Sequence, residues 1–261
     1  MTQILTRAFR KAKRSMRRGR YREPVDFTSP EGHGILSSLA LRPLIIVAHP
    51  DDEVFCSGLI RHFVTRFNSQ ITLACATRGE GGLRAGGKHS AEDLATIRSE
   101  ELRQAAGVLG VRNPGFFDFE DPRSPVPAFN TPSADVNAAV AVAISREKPT
   151  VIITHGSSGE YWHPAHTILH RAAIENLRVV PVLTFNAWIP NHPLSHLLNK
   201  DDLAHFYLDS APYSAQRLQA LEKHRSQSAV FEKFGGGDLQ TYIEKARIET
   251  YHLHGYKPLP R

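Results

Sequence analysis

Only two cysteines occur in the 261 residues. A disulfide scaffold is therefore excluded, and Cys56 and Cys75, both in apolar segments, read as small core residues of a reducing compartment. No stretch approaches the roughly 20 apolar residues needed to cross a bilayer. No apolar segment of a secretory signal follows the basic start, so a cytoplasmic location is expected. Acidic residues are missing from the first 22 positions, which hold nine Lys/Arg. Subtracting those nine from the net charge of +6 leaves −3, so the basic balance belongs to an arm and not to the rest of the chain. Such an arm can be solvated or can bind an anionic surface. Ile4, Leu5, Phe9 and Met16 interleave its charges. Peripheral membrane contact through residues 1–22 is thus one reading, and a disordered basic arm is the other. No nucleic-acid partner is expected.

What remains is an ordinary globular composition, 41% hydrophobic and 22% charged, long enough to bury a sizeable core. Pro24, Pro30, Gly32 and Gly34 mark residues 23–40 as a linker or entry loop, giving an arm and linker over 1–40 and a single domain over 41–261. Leu44-Ile45-Ile46-Val47-Ala48 predicts a buried parallel strand. Further strands are expected at 71–76, 116–119, 151–154, 181–188 and 205–209. Helices are expected at 58–67, 92–109, 134–145, 163–177, 212–225 and 238–250. The helix at 92–109 has a Ser90/Asp93 start and Gly110 past its end. This alternation predicts an α/β fold with an open, mostly parallel sheet and helices on both faces. Functional residues of such sheets lie past the carboxyl ends of the strands, here after residues 48, 77 and 154.

Polar clusters stand at all three places. After the first strand come His49, Pro50, Asp51, Asp52 and Glu53. Three acids beside a histidine at a strand end are costly to bury unpaired, and a cation resolves the cost. Imidazole with carboxylate suits zinc, which in catalytic sites takes three protein ligands and a water. His49 and Asp52, three apart, can face one point, leaving Asp51 free as a base. The competing reading is that the acids only charge a helix N-terminus, which accounts for them but not for His49-Pro50. After the strand at 151–154 come His155, His163, His166 and His170, four histidines in sixteen residues. One could complete the metal site and another could hydrogen-bond an oxygen as charge develops on it. His170, one turn into a helix, reads as an ordinary capped histidine, and His155 as lining or support.

The two clusters together resemble the PIG-L/LmbE-like family of zinc-dependent N-deacetylases. The matching residues are the strand leading to Ala48-His49-Pro50-Asp51-Asp52-Glu53, and His163-Pro164-Ala165-His166. Further matches are Thr77-Arg78-Gly79-Glu80-Gly81-Gly82, Arg98 to Leu102, and Ala220 through His224 to Gln227. The resemblance runs from about residue 42 to about 230 and implies a Rossmann-like fold. It implies His49, Asp52 and His166 as ligands of Zn2+ or another divalent metal. Asp51 is implied as general base and His163 as the group that stabilises the tetrahedral intermediate. Glu80, Arg98 and Asp118, or Asp121 in place of the last, match sugar-contacting positions. The implied substrate is an N-acetylglucosamine-type conjugate, with lipid-linked forms and surface-glycan precursors in range. Ala165 stands where the family usually has Asp, and Arg217 stands where a lysine is usual.

Three other functions compete. A hydratase could use the same zinc site. A nucleic-acid-binding protein could use the basic arm. A nucleotide hydrolase is hinted at by residues 82–89, which nearly fit a phosphate loop but end in His89 without the Ser/Thr that holds magnesium. Those glycines read instead as a loop over the site.

Overall fold

Pro43–Val47 is buried at every position and forms the centre of the sheet. In this computed structural model, residues 22–82, 89–112, 114–121, 129 and 131–256 are described. The strands are β1 (Val25–Asp26), β2 (Pro43–Val47), β3 (Thr72–Thr77), β4 (Gly115–Phe119), β5 (Val151–Thr154), β6 (Val182–Phe185), β7 (Ala187–Trp188), β8 (Asn199–Leu203), β9 (Phe206–Asp209) and β10 (Ile248–Leu253). The longer helices are α1 (Pro30–Leu39), α2 (Ser57–Phe67), α3 (Ala91–Leu109), α4 (Ser133–Glu147), α5 (Pro164–Glu175), α6 (Ser214–Leu221), α7 (Ser228–Gly235) and α8 (Leu239–Lys245). Eight strands pair in the order β1-β9-β10-β6-β5-β2-β3-β4. The run from β6 to β4 is parallel, and β10 is antiparallel to both its neighbours. The expected open, mostly parallel α/β sheet is what forms.

Strand side chains alternate between faces, so each central strand feeds two cores. Ile45, Val47, Leu73, Cys75 and Ile153 join α2 and α3 through Leu59, Phe63, Leu102 and Leu109. Leu44, Ile46, Ala74 and Ile152 join α4 and α5 through Val136, Val140, Leu169 and Ala172. Both cysteines are buried and free. The start of α3 is the expected capping box, with Ser90 Oγ accepting from the Asp93 N–H at 3.0 Å and Asp93 Oδ2 accepting from the Ser90 N–H at 3.2 Å. The α2 N-terminus is capped from far away instead. Glu249 on β10 accepts from the Gly58 and Leu59 N–H groups at 2.7 and 2.9 Å.

Three expectations change. Residues 23–40 are not a linker. Val25–Asp26 pairs in parallel with β9, and Phe27, Leu36 and Leu39 belong to the core. Gly32 serves contact there, since a Cβ on it would lie 2.0 Å from the Asp26 carbonyl oxygen. The helix expected over 238–250 ends at Lys245, and Ile248–Leu253 becomes a strand because β6 and β9 offer open edges on either side. The strand expected over 181–188 breaks at Asn186, whose φ is +55°. Of the basic arm only Arg22 is described; the readings of residues 1–21 and of the glycine loop at 83–88 lie outside the described residues. Among the described residues no helix is long and apolar enough to cross a membrane.

Two predictions follow from this packing. Gly32→Ala should lower stability by about 1–3 kcal/mol in urea denaturation, the usual cost of overpacking a close approach. The second concerns pH. Burial lowers His205 to about 4, with His252 adding to it. Burial also lowers His254 to about 3, helped by His252, His170 and His205. Both stay neutral in the fold while an unfolded histidine protonates near about 6.5. Their contribution is therefore complete above that pH and is lost as pH falls towards about 4. The His205→Gln/His254→Gln variant should lose less of its urea midpoint between pH 7 and pH 4.5 than the parent does; an equal loss would refute the assignment.

Candidate metal centre and active site

β5, β2 and β3 are neighbours in the sheet, so the segments that follow their carboxyl ends meet. This brings together the three polar clusters that lie far apart in sequence. After β2 a short turn over Ala48 to Asp51 leads into a 3-10 helix over Asp52–Cys56. Asp52 Oδ2 accepts the His49 N–H at 2.8 Å. The same oxygen lies 3.3 Å from His49 Nδ1, 3.3 Å from His166 Nε2 and 3.5 Å from His155 Nε2. His163 closes the group, its ring 4.8 Å from that of His49 and 4.5 Å from that of His166.

One carboxylate sets the histidine tautomers. Glu160 Oε2 meets His155 Nδ1 at 2.8 Å and His166 Nδ1 at 2.6 Å. A carboxylate only accepts, so both Nδ1 atoms carry protons. His155 Nε2 then accepts the Ala48 N–H at 3.1 Å, and both of its ring nitrogens are used. His166 Nε2 has no hydrogen-bond partner among the described residues although it is buried. Its lone pair faces the Asp52 carboxylate across 3.3 Å. Two acceptors so placed need a proton or a metal cation between them. Without a metal, burial disfavours a charged His166, but Asp52 and Glu160 outweigh it and raise the group to about 10. Burial works against the Asp52 charge too, and His166 with His49 still holds that carboxyl well below the usual range. The ring of His166 and the carboxylate thus fit a divalent cation: Asp52 and His155 offer donor atoms beside His166 in one cluster, and His49 and His163 beside it in another. Glu160 orients the His166 ring, as carboxylates behind metal-bound histidines do. Its own backbone is strained, at φ 56° and ψ −94°. Asn199 holds it by donating from Nδ2 to Oε1 at 2.9 Å and accepting the Glu160 N–H at 3.1 Å.

Asp51 points elsewhere, as its spacing required. Its carboxylate accepts from Arg98 Nη2 at 3.1 Å. Burial raises it to about 6, against the opposing pull of Arg98. A cation at Asp52 would draw it back towards the charged form. Together with His49, His163, Asp121, Gly81 and Gly82, Asp51 lines a cleft of about 440 Å³ walled on the far side by Tyr161, Val230, Lys233 and Phe234. His163 is lowered to about 2, by burial first and then by the neighbouring His166 and His49, so its imidazole is neutral. Ala165 is buried in the core and offers no acceptor. His163 Nδ1 is accordingly buried without a hydrogen-bond partner among the described residues.

The expected sugar contacts divide. Arg98 lines the cleft, but its guanidinium is occupied by Gly79 O at 2.8 Å, Pro50 O at 2.6 Å and Asp51. Gly79 has φ +74°, and any Cβ there would lie 2.5 Å from that guanidinium, which accounts for the glycine after Arg78. Glu80 turns back to accept the Asp121 N–H at 2.9 Å. Asp118 pairs with Arg78 at 2.6 Å on the surface and does not line the cleft; Asp121 does. Arg217 is a buried clamp, donating to Ser57, Ser210 and Ala246. His170 meets the His155 carbonyl oxygen, the capped role expected of it. Glu160, Asn199 and the α7 wall were not singled out from sequence. Glu160 could have been, since it stands six residues before His166 inside the histidine cluster.

An open-sheet α/β enzyme with a His/Asp cation cradle at its strand ends is the class defined by these features. Comparison with known proteins makes it specific. The family model PIG-L, GlcNAc-PI de-N-acetylase, matches residues 44–177. A 1D-myo-inositol 2-acetamido-2-deoxy-α-D-glucopyranoside deacetylase of Catenulispora acidiphila is 31% identical over 81% of this chain and 69% of its own. A Bacillus anthracis protein named probable N-acetyl-α-D-glucosaminyl L-malate deacetylase 2 is 29% identical over 72% of this chain and 81% of its own. In fold, the chain is similar to N,N'-diacetylchitobiose deacetylase of Pyrococcus horikoshii (TM-score 0.57, 18% identity, 89% of this chain and 94% of that one). It is also similar to the 4-carboxy-2-hydroxymuconate hydratase of Pseudomonas putida (TM-score 0.65, 18% identity, 85% and 99%). The chain belongs to the PIG-L family and is a deacetylase.

Glu160→Gln keeps the shape of the side chain but offers one carbonyl oxygen where two histidine N–H groups donate. Zinc affinity in a chelator competition should fall about 10–100-fold. Unchanged affinity would show that Glu160 does not orient a ligand.

Proposed function

We propose that this protein is a zinc-dependent hydrolase that removes the acetyl group from the nitrogen of an N-acetylglucosaminyl conjugate. The observation that carries the reading is His166 Nε2, without a hydrogen-bond partner among the described residues, facing Asp52 behind a cleft that Asp51, His49 and His163 line. His49, Asp52 and His166 would hold the zinc. When bound, zinc supplies a Lewis acid that polarises the acetamide carbonyl and acidifies a water.

The remaining steps belong to the chain. Arg98 engages Asp51 Oδ2 and so leaves Oδ1 to accept the proton of the attacking water. Neutral His163 donates one N–H to the carbonyl oxygen as negative charge develops on it. Asp51 then returns its proton to the departing nitrogen. The C–N bond breaks, and acetate and a free amino sugar leave. Tyr161, Val230 and Phe234 give the cleft an apolar wall against which the group attached to the sugar can pack. The relatives named for deacetylation of an inositol 2-acetamido-2-deoxy-α-D-glucopyranoside and of N-acetyl-α-D-glucosaminyl L-malate support an α-linked conjugate as substrate.

The test is acetate release from N-acetylglucosaminyl-inositol, N-acetylglucosaminyl-malate and N,N'-diacetylchitobiose by zinc-loaded protein. Asp51→Asn should lower kcat by about 10²–10⁴-fold, the range of a lost general base, while zinc stays bound. Release from none of the three by the parent would overturn the substrate class. Near-normal turnover by Asp51→Asn would overturn the role of Asp51.

A further inference from the structure

Asp51 occupies a backbone conformation that L residues rarely take, with φ 118° and ψ −20°. Such a residue persists only where its surroundings over-determine it. Arg98 grips the side chain and also donates to the preceding carbonyl, Pro50 O, at 2.6 Å. The Asp51 N–H is held from the opposite direction by Glu53 Oε2, at 3.1 Å. Glu53 is a third acid in the run, buried completely and too remote from solvent to serve as a surface charge on a helix end. Its other oxygen, Oε1, meets His224 Nε2 at 2.5 Å. His224 is also fully buried, and its Nδ1 has no hydrogen-bond partner among the described residues. Among the described residues the ring is thus hydrogen-bonded to Glu53 alone. His224 opens a 3-10 turn over Arg225–Gln227. Within it, Ser226 donates from its N–H and its hydroxyl to Glu101 of α3 at 2.9 and 2.6 Å. The helix that carries Arg98 therefore also anchors the turn that carries His224.

We propose that Glu53 and His224 form a positioning pair for Asp51. His224 orients the Glu53 carboxylate, and Glu53 holds the Asp51 peptide in the left-handed conformation that turns its carboxylate into the cleft. Neither residue touches the reacting atoms. The inference rests on Asp51 as the base of the proposed reaction.

A double-variant cycle in zinc-loaded enzyme tests it, with N-acetylglucosaminyl-inositol as substrate. His224→Gln should lower kcat by about 10²-fold, the cost of a misplaced catalytic group, with KM and bound zinc unchanged. Added to Asp51→Asn, the same change should cost nothing more, because a residue acting through Asp51 has nothing left to act on. A crystal structure of His224→Gln, which needs no substrate, should show the Asp51 φ out of the left-handed region. If His224→Gln does not fold, Glu53→Gln completes the same cycle. Unchanged kcat, equal losses with and without Asp51, or an unmoved Asp51 backbone would each overturn the pair. Near-normal turnover by Asp51→Asn alone is a different result: it would remove the base, and with it the catalytic role of the pair.

Discussion

A single oxygen, Asp52 Oδ2, bears on every part of this site. It is buried, it accepts one backbone N–H, and three imidazole nitrogens lie within 3.5 Å of it. A carboxylate in that position is costly unless a cation shares it. Glu160 prevents His166 from offering a neutral N–H there, because it already holds the Nδ1 proton. The tautomer imposed from behind the ring is what leaves the Nε2 lone pair facing Asp52. The strained backbone of Glu160 and the Asn199 contacts that hold it follow from that requirement.

The sheet order then decides what stands beside the cradle. β2 lies between β3 and β5, so the loops after all three open onto one cleft. The β2 end supplies His49, Asp51 and Asp52. The β5 end supplies His155 and the turn to His163 and His166. The β3 end supplies Gly79, whose lack of a side chain lets Arg98 reach Pro50 and Asp51. Arg98 is for that reason part of the frame around Asp51 and is not available as a free cation for a ligand.

Two adjacent acids acquire different roles through their neighbours. Asp52 faces histidines and is held charged. Asp51 faces an arginine on one side and the cleft on the other, in a backbone conformation fixed by Glu53. The run of three acids is therefore not a charged helix end. Each carboxylate has its own partner: the histidine cradle for Asp52, Arg98 for Asp51 and His224 for Glu53.

Much of this was legible in the sequence where the determining contacts are local. The unbroken apolar run Leu44 to Val47 sets a buried strand because both faces of that strand meet apolar helices. Ser90 and Asp93 cap α3 across three residues, and Gly110 ends it. The three-residue spacing of His49 and Asp52 placed both on one point and sent Asp51 away from it. Other features depend on residues far apart in the chain. Residues 23–40 carry turn-forming glycine and proline, yet Phe27 and Leu36 find a core to enter only after β9 and β10 are in place. Residues 248–253 alternate weakly, and become a strand because two edges wait for them. Asp121 rather than Asp118 lines the cleft because Asp118, the last residue but one of β4, is turned at φ +57° and pairs with Arg78. The amino-acid order by itself determined the residue types at the strand ends and hence the chemistry available there. Only the tertiary structure decided which of them meet, because Glu53 and His224 are 171 positions apart, and no local spacing encodes a contact over that separation.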